Sequence, residues 1–328
     1  MPDHATVTSV LNHYPDVVIR QVEPLQGAGG FSGAAFWRIS TSKAQLCLRR
    51  WPREHPTQTQ LQAIHDVLYH AFANGFRKLP VPLRSQNGQA FLTADGHFWE
   101  LAPWLPGVAD FDAHPSPERL DAAMLALAQF HRSVEALALR PGSPPGITNR
   151  REQLSQLCAT GTSELMPAIE RMEPSEFQWR LAIILSSFDQ NAARVQSLLA
   201  VASHVRAPRQ PCIRDIWHDH VLFQGEEVSG IVDFGALQSD HVACDISRLL
   251  GSLVGGDRED WTRGLAAYQV LRPLTADELM LVDAYDQSTV LLSGMNWIQW
   301  LAIEGRVFED EERVQNRLDQ IILRLLQM

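Results

Sequence analysis

The chain reads as an α+β protein with a small β-rich N-terminal part and a larger helical C-terminal part, and three observations carry that reading. Period-two alternation of apolar residues marks the first hundred residues, helical periodicity takes over after Pro103, and a β-rich island at 211–237 interrupts the helices. At 328 residues the chain exceeds what one core comfortably organises, so two coupled domains are expected, 1–102 and 103–328, with 101–107 as the hinge.

The runs 35–40 (AFWRIS) and 44–50 (AQLCLRR), joined by a polar turn at 41–43, are patterned as a hairpin. A helix is predicted over 57–73, started by Pro56, with Leu61, Ile64, Val67 and Leu68 on one side. Two further strands fit 89–93 and 97–102, on either side of the turn Ala94-Asp95-Gly96. Beyond the hinge, Ser116-Pro117 is a cap followed by a favourable first helical residue, and Leu120, Met124, Leu127, His131 and Val134 recur at helical spacing. Amphipathic segments follow over 151–172, 174–201 and 249–271, and with breaks over 276–328.

Composition narrows the function classes. The net charge is −10 and no Lys/Arg-rich block is present, so no nucleic-acid partner is expected. The acidic balance is read chiefly as a solubility device, although it would also suit a cationic substrate. No apolar run reaches membrane-spanning length and the N-terminus lacks a secretory pattern, so no membrane association is expected. Cys47, Cys158, Cys212 and Cys244 form no CxxC pair, which argues against a disulfide framework or structural zinc and for a cytoplasmic protein. A monomer or homodimer is the expected assembly.

The chemistry converges on the island. It reads CIRDIWHDH over 212–220, then VLF over 221–223, a turn at 224–227 and VSGIVDFG over 228–235. Gly225 and its polar neighbours make 221–223 and 228–232 antiparallel partners. Paired strands lie about 4.8 Å apart, so residues 218–220 and Asp233 must share one small volume, which Asp215 enters from the preceding loop. Carboxylates and imidazoles so crowded need a metal, protons or a cationic partner.

These residues resemble the superfamily of aminoglycoside phosphotransferases, homoserine kinases and choline kinases, which implies a two-lobed protein-kinase-like fold. Its pattern is a catalytic Asp, a metal-binding Asn five residues later, an apolar strand, a turn, and a second strand ending in a metal-binding Asp. Asp215, Val221-Leu222-Phe223 and Asp233-Phe234-Gly235 match that frame without gaps. The resemblance implies Asp215 as catalytic residue, Asp233 as metal ligand, and Asp245 as the acidic residue at a helix start that buttresses the catalytic loop. It extends to the glycine-rich turn over 25–33 (LQGAGGFSG), where Gly27, Gly29, Gly30, Ser32 and Gly33 would cradle the phosphates of ATP. Arg49 stands where the family places a phosphate-holding Lys or Arg, with Arg50 as competitor because strand alternation turns only one inward. The backbone at Glu100 and Ala102 would read the adenine. The matches cover nearly the whole chain in order.

What the resemblance implies is an ATP-dependent kinase, using Mg²⁺ or Mn²⁺, that transfers the γ-phosphate to a hydroxyl of a small molecule. Three departures stand out: Ile213-Arg214 replaces the usual His-Gly, His220 replaces the metal-binding Asn, and the 57–73 helix offers Asp66 but no Glu for the basic strand residue. His220 either binds metal, favouring Mn²⁺, or yields to Asp219, or touches phosphate alone. Two other readings stand beside the kinase. One is a catalytically inactive nucleotide-binding regulatory protein, favoured by the departures at His220 and in the helix. The other is a metallohydrolase in which His218, His220 and Asp233 chelate zinc, which leaves the glycine-rich turn and Arg49 unexplained. His131, Trp297 and Trp300 read as core residues, and Trp104 as packing beside the nucleotide.

Overall fold

The computed structural model of the protein describes residues 4–25, 33–173, 175–308 and 310–328. In chain order its helices are α1 (His4–Leu11), α2 (Gln58–Ala73), α3 (Pro117–Ser133), α4 (Pro145–Thr160) and α5 (Leu165–Glu170). They continue as α6 (Glu176–Ala202), α7 (Ala243–Val254), α8 (Arg258–Gln269), α9 (Ala276–Ile298) and α10 (Glu311–Leu326). The strands are β1 (Ile19–Leu25), β2 (Ala35–Thr41), β3 (Gln45–Arg50), β4 (Leu92–Ala94) and β5 (His97–Pro103). Later come β6 (Leu139–Gly142), β7 (Ala207–Cys212), β8 (Val221–Gln224), β9 (Glu227–Ile231) and β10 (Gln238–Asp240). The α+β class holds, with five of these strands before residue 104 and the longest helices after it.

By packing, the chain divides into two compact units, 1–136 with 219–237, and 137–218 with 238–328. This division differs from the boundary expected at 102/103, because α3 packs on α2 and on β9 inside the first unit.

In the first unit, five antiparallel strands run in the order β1-β2-β3-β5-β4. Trp37 pairs with Leu48 and Ile39 with Leu46, while Leu48 pairs in turn with Leu101. Strand alternation therefore puts all five on one face, where they bury Val7, Val10 and Leu11 of α1 together with Trp99. Trp37 and Trp99 stack with ring centroids 5.3 Å apart. Arg49 and Glu100, cross-strand partners one residue out of step with this set, fall on the opposite face.

Thr57, and not Pro56, starts α2: its hydroxyl accepts from Gln60 N and the Gln60 side chain accepts from Thr57 N, a capping box that contributes about 1 kcal/mol. The buried stripe is Leu61, Ile64, His65, Leu68 and Ala71, so it is rotated from the expected one and takes in His65 rather than Val67. β8 and β9 form the predicted hairpin, with Val221 opposite Ile231 and Gln224 opposite Glu227. Arg119 of α3 fastens its turn: the guanidinium donates to Gly225 O at 3.0 Å, pairs with Asp110 at 3.0 Å and lies 4.7 Å over the Phe223 ring.

The second unit carries a three-stranded sheet, β10-β7-β6, and a helical layer in which α9 packs on α6, α7 and α10. The single helix expected over 151–172 is two, α4 and α5, because Gly161 takes φ +77° and ends the first. The one expected over 249–271 is likewise α7 and α8, broken at Gly255 (φ +58°), with the Asp257 side chain capping α8. Among the described residues no helix is long and apolar enough to cross a membrane. All four cysteines are free thiols.

Candidate active site

In the first unit the hairpin ends where a charged group gathers. Val232 N donates to His220 O at 2.9 Å, which extends the strand pairing by one step and brings the two chain ends together. Asp233 follows at φ +60°, a left-handed conformation that Asp tolerates better than most residues. Its Oδ1 meets Arg49 Nη2 at 3.3 Å and Gly235 N at 3.3 Å, and its Oδ2 lies 3.8 Å from His220 Nε2. Burial by itself would raise the Asp233 carboxyl. The Arg49 guanidinium, the His220 imidazole and the Gly235 amide outweigh it and hold the group below its ordinary value. The side chain is still 44% exposed, so the ionised carboxylate is open to a ligand.

Arg49, not Arg50, reaches this carboxylate, because alternation along β3 turns Arg49 away from the α1 face. Its guanidinium lies 3.4 Å over the Trp51 ring and 5.2 Å from Phe36, which holds the fork in place. Oδ2 of Asp233 and Nε2 of His220 are close enough to bind one ion at ordinary bond lengths of about 2.1 Å. One carboxylate oxygen and one imidazole nitrogen are a donor set that would fit a divalent cation.

Where a helix glutamate is missing, α2 presents a buried histidine. His65 of α2 is buried, and its Nε2 contacts Glu100 Oε2 at 2.7 Å. Burial pushes the Glu100 carboxyl up, but the bond and charge of His65 and the charge of Arg49 prevail and hold it below its ordinary value. Asp66, the acid the sequence offered, points outward and accepts from Gln62 at 2.8 Å. Glu100, across the sheet from Arg49, thus takes its partner from the helix, while the carboxylate that Arg49 contacts is Asp233. His65 was missed, although it lies four residues after Leu61 on the apolar face.

In the second unit, β7 ends at Cys212 and the chain turns through Ile213 and Arg214 to Asp215. Arg214 has φ +66°, which for a side chain with a Cβ costs about 1–2 kcal/mol. The fully buried carboxylate of Asp245 holds the turn: Oδ2 accepts from Ile213 N at 2.7 Å and Oδ1 from Arg214 N at 2.6 Å. Asp245 lies in the first turn of α7, so the helix N-terminus also favours its charge. The Arg214 side chain donates to Gln238 Oε1 at 2.6 Å and approaches Asp240 at 3.8 Å. Asp215 is half exposed and forms an ion pair with Arg248, one turn along α7 from Asp245.

Gly27, Gly29, Gly30 and Ser32 lie outside the described residues. Gly33 takes φ +73°, a conformation suited to glycine. Ala102 pairs with Cys47 in the sheet. His218–His220 is a single 3₁₀ turn, so the strand-like alternation of His218 and His220 that a zinc chelate required does not exist. The His218 ring packs on Trp217 at 4.8 Å, while His220 approaches Asp233. His131 is fully buried, Trp297 and Trp300 pack edge to face at 5.1 Å, and Trp104 stacks on Arg38 at 4.3 Å.

The profile of a family described as the phosphotransferase enzyme family matches residues 24–277. A homoserine kinase from Rhizobium etli (strain CIAT 652) is 24% identical over 258 residues, 77% of this chain and 73% of that protein. One from Polaromonas naphthalenivorans (strain CJ2) is 26% identical over 275 residues, 82% of this chain and 79% of that protein. Among solved structures, a spectinomycin phosphotransferase in complex with ADP and spectinomycin has a TM-score of 0.68. That superposition covers 100% of this chain and 99% of the other at 13% identity, a likeness of fold.

Proposed function

The chain belongs to the phosphotransferase enzyme family, and on that premise we propose that it is an ATP-dependent kinase phosphorylating a hydroxyl of a small molecule. The observation that carries the reading is the meeting of Arg49, His220 and Asp233 at the end of the hairpin, a cation and an ionised carboxylate beside one another. The homoserine kinases named above and the ADP bound by the spectinomycin phosphotransferase support it.

In this reading residues 1–102 are the nucleotide lobe and 103–328 the helical lobe. Arg49 and the turn at Gly27, Gly29, Gly30, Ser32 and Gly33 hold the phosphates, and the backbone at Glu100 and Ala102 reads the adenine. Asp233 and His220 hold a divalent cation, Mg²⁺ or Mn²⁺. When bound, that ion supplies charge neutralisation for the phosphate oxygens. Asp215 accepts a hydrogen bond from the acceptor hydroxyl and orients it. The acceptor oxygen bonds to the γ-phosphorus, the bond to the β–γ bridging oxygen breaks, the hydroxyl proton is released and ADP leaves. Rate acceleration comes chiefly from positioning and charge neutralisation. Four free thiols suit a reducing compartment, and we assign the protein to the cytoplasm.

The test combines thermal-shift titration with ATP under Mg²⁺, Mn²⁺ or no metal with an ADP-release screen over amino alcohols, hydroxy acids, sugars and aminoglycosides. Asp215→Asn should lower kcat by about 10²–10⁴-fold, and full retention of kcat would remove Asp215 from the mechanism. Asp233→Asn should abolish the metal dependence of ATP binding. A second reading, nucleotide binding without turnover, draws on the Arg248–Asp215 ion pair, which occupies the proposed catalytic carboxylate. It predicts metal-dependent ATP binding with no ADP release from any acceptor in the screen.

A further inference from the structure

Two residues past Asp215, the indole of Trp217 is flanked by two guanidinium groups. Arg317 Cζ lies 4.1 Å from the ring centroid and Arg248 Cζ 5.7 Å. Trp217, Arg248, Arg317 and Asp215 all belong to the second unit. Arg248 binds Asp215 through Nη2, but its buried Nε has no hydrogen-bond partner. Arg317, on α10, donates to the Gln320 carboxamide at 3.2 Å, and among the described residues no carboxylate pairs with it. Two turns further along α10, Arg324 is fully answered by Asp286 at 2.6 and 2.8 Å.

Among the described residues, two of these three guanidiniums pair with carboxylates, Arg248 with Asp215 and Arg324 with Asp286. Burial, followed by repulsion from Arg248 and Arg324, brings Arg317 down to about 10, so it stays charged at neutral pH. A half-buried cation without a counter-ion is electrostatically unfavourable unless an anion arrives. A guanidinium lying on an indole turns its N–H fork to the side, the geometry that receives a carboxylate in bidentate fashion.

We propose that Arg317 and Arg248, joined by Trp217, form an anion subsite that reads a carboxylate on the acceptor, which is therefore a small hydroxy acid. This rests on the reading of Asp215 as the residue that orients the acceptor hydroxyl. A phosphate of the nucleotide offers the same anionic chemistry. The phosphates are already assigned to Arg49 and the glycine-rich turn, whereas Arg248 touches the acceptor-orienting Asp215 directly.

The experiment uses the full chain with ATP and Mg²⁺. L-homoserine, L-threonine and 4-hydroxybutanoate are compared with their primary amides and with kanamycin. Binding is measured by calorimetry and turnover by ADP release. The acids should bind and turn over with KM about ten-fold or more below the amides. Arg317→Met should raise KM for the acids about 10–100-fold. It should leave kcat, the KM of ATP and the KM of the amides unchanged, with Arg317→Lys in between. The melting temperature of Arg317→Met should equal or exceed that of the parent, since repulsion is relieved; a purely structural role would lower it.

Acids that bind through Arg317 without ADP release would sink the kinase reading and leave the subsite standing. Equal use of acids and amides would overturn the subsite while the turnover upholds the kinase. An Arg317→Met enzyme with unchanged KM for the acids, or with a raised KM for ATP alone, would do the same. Neither binding nor turnover with any acid would overturn the subsite, and the kinase reading would fall with it only if the amides and kanamycin also release no ADP.

Discussion

Replacing Asp245 by Asn perturbs the catalytic loop at its anchor without changing the volume of the side chain. The parent carboxylate, fully buried, accepts from Ile213 N at 2.7 Å and Arg214 N at 2.6 Å. An amide has one oxygen to offer, and its NH₂ must face one of the two donors. One buried N–H is then left unsatisfied, at about 1–3 kcal/mol, and the other bond falls from charge-assisted to neutral. The first turn of α7 also loses a favourable charge, worth about 0.3–1 kcal/mol. The expected destabilisation is about 3–4 kcal/mol, seen as a fall of about 4–6 °C in the thermal midpoint by circular dichroism. The design becomes sharper with Arg214→Gly. If Asp245 works by holding Arg214 at φ +66°, a glycine there removes the strain and part of the need for the anchor. A double-mutant cycle should show a coupling of about 1–2 kcal/mol, because the Arg214 contacts with Gln238 and Asp240 are absent from both arms that carry Arg214→Gly and so cancel. Strict additivity, or a loss below about 1 kcal/mol for Asp245→Asn, would refute the reasoning.

Three further outcomes follow from the same geometry. Arg49→Met should weaken ATP binding about 10–100-fold by calorimetry and let the Asp233 carboxyl rise toward its ordinary value; unchanged affinity would remove Arg49 from the phosphate site. His220→Asn, which replaces an imidazole by an oxygen ligand, should keep or improve activity with Mg²⁺ relative to Mn²⁺, and a collapse of activity would show that the imidazole has its own task. Glu278, held down to about 2 because His241, Thr275 N and Arg272 outweigh its burial, contributes stability above pH ~4.5 that is lost as the pH falls toward 2. Glu278→Gln should therefore be less stable by about 2–3 kcal/mol at pH 7 and converge with the parent near pH 2, so a pH-independent difference in urea unfolding would count against it.

How much was legible varied with the range of the interaction. The hairpin around Gly225 was readable because its pattern is local: apolar alternation, a turn, and charged residues at both open ends. The two breaks at Gly161 and Gly255 were passed over because apolar periodicity continues on either side of each, and only the left-handed backbone there shows the chain turning. β6 was missed for another reason, since Leu139–Gly142 has no alternation of its own and is a strand only because β7 pairs with it.

By itself the sequence determined the α+β class, the order of loop, basic strand, hairpin and helices, and the spacing of Asp215 to Asp233. These are properties of periodicity and of covalent distance along the chain. Tertiary structure decided what no spacing encodes. It selected Arg49 over Arg50 by the pairing of β3, and it gave Arg49 its carboxylate from Asp233 at the hairpin end, while His65 of α2 answers Glu100. It brought Arg248 of α7 and Arg317 of α10, two separate helices, to the one indole of Trp217. A charge acquires its chemical meaning from the charges within a few ångströms of it, and for these residues those neighbours are remote in sequence.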